Sequence, residues 1–152
     1  MSVAKLTPRS KRQPLTRSEM MGRIGSNNTT PERRTGAGLH AMGLRYRKNA
    51  NQLPGKPDFA NRGRRWAIFV HGCFWHCHEG CTLASSPKTN RAYWVPKLKR
   101  NVERDASAML KLREAGYRAF VVWECETRDS ERLERRLREI RKSIRPVRTA
   151  ST

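Results

Sequence analysis

The stretch that organises this chain is Ile68-Phe69-Val70-His71-Gly72-Cys73-Phe74-Trp75-His76-Cys77-His78-Glu79-Gly80-Cys81. It contains three of the four cysteines and three of the four histidines, and an apolar run over 66–70 leads into it. A short apolar run that ends at a glycine predicts a buried strand that delivers its last residues to a site. Clustered cysteine and histidine indicate metal binding or proton transfer, and the adjacent Phe and Trp indicate a surface for stacking.

The composition indicates one domain with a polyanionic partner. The chain has 152 residues, and 33 Lys and Arg against 13 Asp and Glu give a net charge of +20. Such a charge on a small domain favours nucleic acid as the partner. The alternative is a ribosomal or chromatin-type protein that only neutralises phosphates. No apolar run reaches the length of a membrane span and no signal peptide is recognisable, so we expect a cytoplasmic protein whose cysteines bind metal or stay reduced.

Three segments are expected along the chain: a basic arm over 1–15, a folded domain over 16–144 and a tail over 145–152. At the start of the folded part, Thr16-Arg17-Ser18-Glu19 fits a capping box and predicts a short helix. A second helix is predicted to begin at Thr30-Pro31-Glu32, with Thr30 as N-cap and Glu32 stabilising the helix N-terminus by its charge.

Strands and helices alternate in the rest of the domain, which predicts an α/β fold. Strands are expected at Leu44 to Arg47, from Pro57 onward, over 65–71 and over 119–123, with Gly63 supplying the turn before the third. A helix over 130–144 carries its apolar side chains on one face.

A long helix is predicted from Tyr93 or Trp94 to Ala115. Its inner stripe is expected to consist of Leu98, Val102, Asp105, Met109 and Leu112. A carboxylate on an apolar face is costly unless it is paired. Asp105 therefore needs a partner from the sheet, either an Arg or Lys in a buried salt bridge or a catalytic histidine that it orients.

The cysteines and histidines suggest a structural zinc site. A tetrahedral site needs four ligands, and the candidates exceed that number: Cys73, Cys77, Cys81, Cys125, His76 and His78. The spacing does not choose between Cys77 and His78. Free thiols in a basic protein are the alternative.

Asp58 and His71 are expected at the ends of neighbouring strands. Many nucleases hold Mg²⁺ in this way, with a carboxylate on the metal and a histidine nearby as general base or acid. Phe74 and Trp75 could act as a wedge between bases, at a cost that is lowest at mismatched or damaged steps. Trp94 fits such a wedge and the core of the long helix equally well.

Four motifs together resemble the very short patch repair endonuclease family (Vsr), bacterial enzymes that nick DNA at T·G mismatches. They are Leu53-Pro54-Gly55-Lys56-Pro57-Asp58-Phe59, residues 69–76, Asn101-Val102-Glu103-Arg104-Asp105 and Val121-Val122-Trp123-Glu124-Cys125. The resemblance extends from about Thr16 to Cys125. It implies a restriction-endonuclease-like fold, in which a mixed central sheet is flanked by helices, in a variant of the PD-(D/E)xK arrangement.

The resemblance also implies roles for individual residues. Asp58 would be the catalytic metal-binding carboxylate, and Val70 would contribute its main-chain carbonyl to Mg²⁺ where related nucleases carry Glu-x-Lys. His71 and His76 would carry the proton transfers, with Asp105 orienting an imidazole.

Other family positions match as well. Glu32 corresponds to an active-site acid at the start of a helix, and Met21 and Ile24 to an N-terminal helix that grips DNA. The aromatic wedge would be Phe74, Trp75 and Trp94. The structural zinc ligands would be Cys73, His78, Cys81 and Cys125, which leaves Cys77 without that role.

The implied function is a Mg²⁺-dependent endonuclease that nicks the T strand 5′ to a T·G mismatch. It would act as a monomer on double-stranded DNA in the bacterial cytoplasm, at the nucleoid, alongside other mismatch-repair proteins and away from membranes. One alternative is a Vsr-like nicking or restriction-type enzyme acting on matched DNA. The other is a non-catalytic zinc-stapled DNA-binding protein, which would need none of the proposed catalytic residues.

Overall fold

A computed structural model describes residues 28–144 of the chain. The expected basic arm over 1–15, the helix after Thr16 and the tail over 145–152 lie outside the described residues. Met21 and Ile24 lie outside them too.

The described residues form a mixed four-stranded sheet flanked by helices, as the alternation of patterns predicted. In the sheet the strands follow the order β1-β2-β3-β4, with antiparallel pairing as far as β3 and parallel pairing between β3 and β4. The elements in chain order are α1 (Thr30–Ala41), β1 (Arg47–Lys48), β2 (Phe59–Asn61), β3 (Trp66–His71), a 3₁₀ turn (Thr82–Ala84), α2 (Arg91–Glu114), β4 (Arg118–Trp123), α3 (Glu124–Thr127) and α4 (Ser130–Ile144).

Both faces of the sheet are covered, which gives three layers. Trp66 and Ile68 of β3 pack against a core that includes Leu39 of α1 and Leu137 of α4. Their neighbours Ala67 and Phe69 belong to a second core on the side of α2. A strand covered on both faces reads as a continuous apolar run, and this explains why β3 was recognisable from its sequence.

The parallel pairing of β3 and β4 brings their carboxyl ends to one edge of the sheet. His71 pairs with Trp123 there, as the last residue of each strand. The loop after His71 and the short α3 after Trp123 are therefore neighbours. This places Cys125 beside the cluster of cysteine and histidine that follows β3.

Two turn predictions were wrong in detail. The N-cap of α1 is Thr29, whose Oγ1 accepts a hydrogen bond from the Glu32 amide at 3.4 Å. Thr30 lies one residue too late, because a capping box needs the acid three residues after the cap. In the hairpin before β3, Arg65 and not Gly63 adopts the left-handed conformation, with φ of 51°. The Asn61 side chain shapes that turn by accepting from the Arg64 amide.

Two element predictions also needed correction. β1 begins at Arg47, so Leu44 to Arg47 is not a strand; Leu44 is instead a buried core residue after α1. On α2, Val102 is 42% exposed and Ala108 is buried in its place. A Cβ at Gly55 would lie 2.5 Å from the Ala108 Cβ, so the loop before β2 approaches α2 too closely for a larger side chain.

None of the helices within 28–144 has the length and apolar character needed to cross a bilayer.

Candidate active site and metal centre

Asp58 directly precedes β2, and its carboxylate is held against the main chain of β3. Its Oδ2 accepts a hydrogen bond from the Val70 amide at 2.7 Å. The pKa of Asp58 is raised to about 6, mainly because the carboxyl is buried. The hydrogen bond from the Val70 amide lowers this pKa, and the negative charge of Glu32 raises it. A partly desolvated carboxylate beside a second acid is an environment that a bound cation would stabilise.

Glu32 reaches this site from α1 while serving as part of the helix cap. Its carboxylate accepts hydrogen bonds from the Asn28 amide at 2.8 Å and from the Thr29 hydroxyl at 3.2 Å. The helix-stabilising interpretation of Glu32 is therefore correct. The same side chain also lies close enough to Asp58 to act on its charge, so the two interpretations are compatible.

Asp105 lies between two histidines. Its Oδ2 is 2.5 Å from His76 Nδ1, and its Oδ1 is 4.0 Å from His71 Nε2. The two imidazoles stack on each other, with ring centroids 3.8 Å apart and planes within 5°. Among the described residues, both ion-pair partners of Asp105 are histidines, so of the two alternatives the partner is a histidine and not an Arg or Lys.

One ligand atom from each of these three residues lies within 4.8 Å of the others. The two imidazole planes are parallel and offset, however, so no single ion can lie in both ring planes at once. His71 is buried, and burial together with the neighbouring His76 lowers its pKa to about 4, against the opposing effect of Asp105. Its ring is therefore neutral at pH 7.

The candidate ligands of a structural metal lie together at a second place, next to the Asp105 and histidine group. One ligand atom from each of four residues lies within 4.8 Å of all the others; these residues are Cys73, His78, Cys81 and Cys125. Cys73 Sγ and Cys125 Sγ lie 3.6 and 3.5 Å from His78 Nδ1. Zn–S and Zn–N bonds of about 2.3 and 2.1 Å at tetrahedral angles require S···N separations of about 3.6 Å. The donor set and its spacing fit zinc.

Cys77 takes no part in this cluster. Its side chain is exposed, and its backbone adopts a left-handed conformation with φ of 49° that turns the chain between the cluster residues on either side. Sequence spacing had left Cys77 and His78 as alternatives, and the geometry selects His78 for the cluster. The Cys125 amide also donates to Cys73 Sγ at 3.4 Å, an interaction that stabilises a thiolate.

Trp123 connects the two sites. It stacks on His78 with ring centroids 4.1 Å apart, and its edge contacts His71 at 5.4 Å. The imidazole of the cysteine-rich cluster and the imidazole beside Asp105 therefore pack on one side chain. The cysteine-rich cluster and the His71–His76 pair are therefore connected through one shared side chain.

An aromatic cluster lies beside these sites, at the start of α2. Phe74, Trp75 and Trp94 contact one another with centroid separations of 5.5 to 5.7 Å. Trp94 also contacts Tyr93, which is 52% exposed. The cluster is partly exposed, so Trp94 is not an ordinary core residue of the helix.

Three residues to which the sequence assigned no role support this arrangement. Asn101 donates to the Trp75 carbonyl at 3.2 Å, and Lys97 Nζ lies 5.3 to 5.5 Å from the ring centroids of Trp75, Tyr93 and Trp94. The third is Trp123. The i, i+4 spacing of Asn101, Lys97 and Asp105 along α2 was the signal that could have placed them on one face.

Comparison with known proteins agrees with this geometry. Residues 10–82 match the family model described as DNA mismatch endonuclease Vsr. The Type II nicking enzyme V.XorIIP of Xanthomonas oryzae pv. oryzae is 43% identical over 127 residues, which cover 84% of this chain and 93% of that protein. The DNA mismatch endonuclease Vsr of Escherichia coli is 42% identical over 118 residues, covering 78% and 75%. The Type II nicking enzyme V.NmeAIP of Neisseria meningitidis is 39% identical over 132 residues, covering 84% and 94%.

The mixed sheet and the clustered acids and histidines at one of its ends are thus those of a DNA endonuclease. The chain belongs to the DNA mismatch endonuclease Vsr family.

Proposed function

We propose that this endonuclease nicks the T strand of double-stranded DNA on the 5′ side of a T·G mismatch, with Mg²⁺ as its catalytic ion. The observation that carries the proposal is the convergence of Asp58, the Val70 main chain and the His76–Asp105 pair at one end of the sheet. Oxygen ligands suit Mg²⁺, and the buried Asp58 carboxylate with the Val70 carbonyl would hold it. This arrangement would make the fold a variant of the PD-(D/E)xK nucleases.

In the proposed mechanism Asp58 and the Val70 carbonyl would hold the ion, which when bound would supply positive charge at the phosphate under attack. His76 accepts a proton from the attacking water as the water oxygen bonds to phosphorus; the bond from phosphorus to the leaving deoxyribose oxygen breaks, and that oxygen takes up a proton from solvent. Its hydrogen bond to Asp105 holds the ring through Nδ1 and stabilises the imidazolium that forms, the role an aspartate has in a hydrolytic triad. His71, neutral and stacked against His76, fixes the plane of that ring. Glu32, at the start of α1, adds a second negative charge near Asp58.

The metal held by Cys73, His78, Cys81 and Cys125 is proposed to be Zn²⁺ in a structural role. All four positions are occupied by protein atoms, whereas catalytic zinc sites leave one position open. The cluster staples the loop after β3 to the start of α3, and Trp123 transmits that constraint to His71.

Mismatch recognition is assigned to the aromatic cluster of Phe74, Trp75 and Trp94. Inserting such side chains between two base pairs costs the free energy of unstacking one base step. This cost is smallest where base pairing is already weak. Met21 and Ile24 are proposed to contact DNA as well. We also propose the division into an arm over 1–15, a catalytic domain over 16–144 and a tail over 145–152.

The enzyme is further proposed to act as a monomer in the bacterial cytoplasm, alongside other mismatch-repair proteins. Two of the relatives are named Type II nicking enzymes. Their names favour a second candidate function, in which the enzyme nicks matched DNA at a fixed sequence.

A nicking assay with Mg²⁺ on two duplex pools tests the proposal. The pools carry either T·G or T·A at one position and have randomised flanking bases. The proposal requires nicks 5′ to the T in the T·G pool, their loss in the Asp58→Asn variant, and no comparable nicking of the T·A pool. Equal cutting of both pools at one motif would assign the protein to the matched-DNA class instead. Binding without cleavage of either pool would contradict the proposed chemistry.

A further inference from the structure

The end of the sheet opposite the active site carries a second concentration of positive charge. The hairpin between β2 and β3 contributes three arginines there, and the last turn of α2, the first residue of β4 and the end of α4 contribute one cation each. We call these the distal basic cluster: Arg62, Arg64, Arg65, Arg113, Arg118 and Lys142.

Hydrogen bonds and packing hold the cluster together. Arg118 at the start of β4 donates its amide to the Arg65 carbonyl at 2.9 Å, and the Arg65 side chain lies over the end of α2, 3.5 Å from the Ala115 carbonyl. Arg113, Arg118 and Lys142 line one cleft of about 510 Å³ beside the edge strand β4. Arg113, Arg118 and Lys142 therefore share one surface between the ends of α2 and α4, and Arg65 of the hairpin adjoins it.

This surface is not neutralised by the protein itself. All six side chains are exposed, and within residues 28–144 none of them forms an ion pair. The acid nearest to the cluster in sequence is Glu114, and its single negative charge leaves the net charge of this surface strongly positive. Self-repulsion of this kind destabilises a fold unless a polyanion relieves it. The proposed active site uses none of these residues.

The cluster faces away from the end that holds the catalytic residues. The strands separate His71 from Trp66 by about 17 Å, and α2, with 24 residues or about 36 Å, carries Trp94 in its first turn and Arg113 in its last. The two surfaces therefore lie at opposite ends of the strands, so a duplex bound at the active-site end leaves the distal basic cluster accessible to a second segment.

We propose that the distal basic cluster binds a second segment of double-stranded DNA while the active-site end holds the first. The occupant is a duplex because phosphates spaced regularly along a groove match several arginines spread over a cleft and a hairpin tip. Its contacts are to the backbone and independent of sequence. The bridged state lets the enzyme pass between segments of DNA without first being released. The proposal rests on DNA binding at the active-site end and on no feature of mismatch specificity.

A bridging assay tests this inference. A short duplex that the enzyme binds is immobilised, the protein is added without Mg²⁺ to prevent nicking, and capture of a fluorescent matched duplex is measured against salt. The test variant is the triple substitution Arg113→Gln, Arg118→Gln and Lys142→Gln. Its matched control, on the outer face of α4, removes the same charge through Arg132→Gln, Arg135→Gln and Arg138→Gln.

We expect the wild type and the control to capture the second duplex, and the cluster variant to capture it at least about tenfold less well at 0.1 M salt, with a salt slope lower by about 3. Both variants should nick a single short duplex at the wild-type rate. Equal loss in the control, unchanged capture by the cluster variant, or no capture by the wild type would each overturn the proposal. The proposal would also be overturned if sedimentation showed that each bridged complex contains two protein molecules. The same holds if this surface binds polyglutamate but no duplex.

Discussion

Asp58 is the residue at which function and stability oppose each other most clearly. Burial and the nearby Glu32 disfavour its ionised form, yet only the ionised form can hold a cation. The folded protein thus carries an electrostatic cost that the catalytic ion would relieve. The cost should be measurable in the absence of Mg²⁺.

Replacing Asp58 by Asn should stabilise the protein while abolishing nicking. The carboxyl has a pKa of about 6 in the folded state and 3.8 as its ordinary value. The contribution of Asp58 to the free energy of unfolding therefore falls as pH rises from about 4 to about 6, and the full cost of this carboxylate persists at pH 7. In Mg²⁺-free buffer, chemical denaturation at pH 7 should give Asp58→Asn a free energy of unfolding higher by about 3 kcal/mol. The nicking rate should fall more than about 100-fold.

The difference between the two proteins should shrink as pH falls and disappear below about pH 3, where Asp58 is protonated in both the folded and the unfolded state. His71 does not disturb the comparison, because its lowered pKa makes both proteins lose stability as pH falls from 6.5 towards 4. Glu114→Gln, at an exposed carboxylate, serves as the control and should change the free energy by less than about 0.5 kcal/mol. A destabilised Asp58→Asn protein at pH 7 would refute the electrostatic argument.

Asp105 is the residue that orients His76, and its loss should affect the rate but not binding. Asp105→Asn keeps the size of the side chain, but it no longer favours the imidazolium or fixes the tautomer. Nicking should slow by about 10²–10⁴-fold with duplex affinity unchanged. The neighbouring Glu103→Gln, exposed on the same helix, should retain the wild-type rate. A rate loss shared equally by both variants would point to helix damage instead.

At the scale of elements, the sequence predicted those whose signal is local. The apolar run of β3, the stripe of α4 and the strand before Cys125 occur where expected, because burial on both faces or on one face leaves a direct pattern. The structure deviates from the predicted elements where contacts between distant segments determine which side chains are buried. Val102 is exposed, and Ala108 is buried where the Gly55 loop approaches α2; that loop is far from α2 in sequence.

The site was predictable in membership but not in geometry. The motifs supplied Asp58, His71 and Asp105 as candidates, yet the choice of His76 over Arg or Lys as partner of Asp105 depends on how α2 crosses the sheet. The role of Trp123 as a contact of both His71 and His78 follows only from the parallel register of β3 and β4. Pairing between distant segments leaves no periodic trace in a sequence.

The cluster of Cys73, His78, Cys81 and Cys125 should act as a staple between elements. Cys125→Ser removes one ligand, so we expect zinc content to fall below one equivalent and the thermal midpoint to drop by several degrees. Cys77→Ser changes the same chemical group at an exposed position and should keep both values. Zinc content by mass spectrometry and unfolding by circular dichroism measure these effects. A zinc-replete, equally stable Cys125→Ser protein would rule out this ligand set.

At the scale of the whole molecule, affinity for DNA has two physically different sources. The net charge of +20 supplies a salt-dependent attraction to any phosphate backbone, whereas the aromatic cluster is proposed to supply stacking on bases, which does not release counterions. The first source is spread over both ends of the sheet and the second is confined to the start of α2. Mismatch preference should therefore reside in the part of the affinity that salt does not alter.

Trp75→Ala separates the two sources. Stacking contributes about 1–3 kcal/mol per base, so the affinity for a T·G duplex should fall by roughly 5- to 150-fold, while the affinity for the matched duplex falls much less. The slope of log affinity against log salt should remain that of the wild type, because no phosphate contact is lost. Leu110→Ala, at an exposed apolar position further along α2, is the control and should change neither quantity. A reduced salt slope in Trp75→Ala would mean that the ring acts by ordering cationic side chains such as Lys97, which lies over it, and recognition would then be electrostatic at its source.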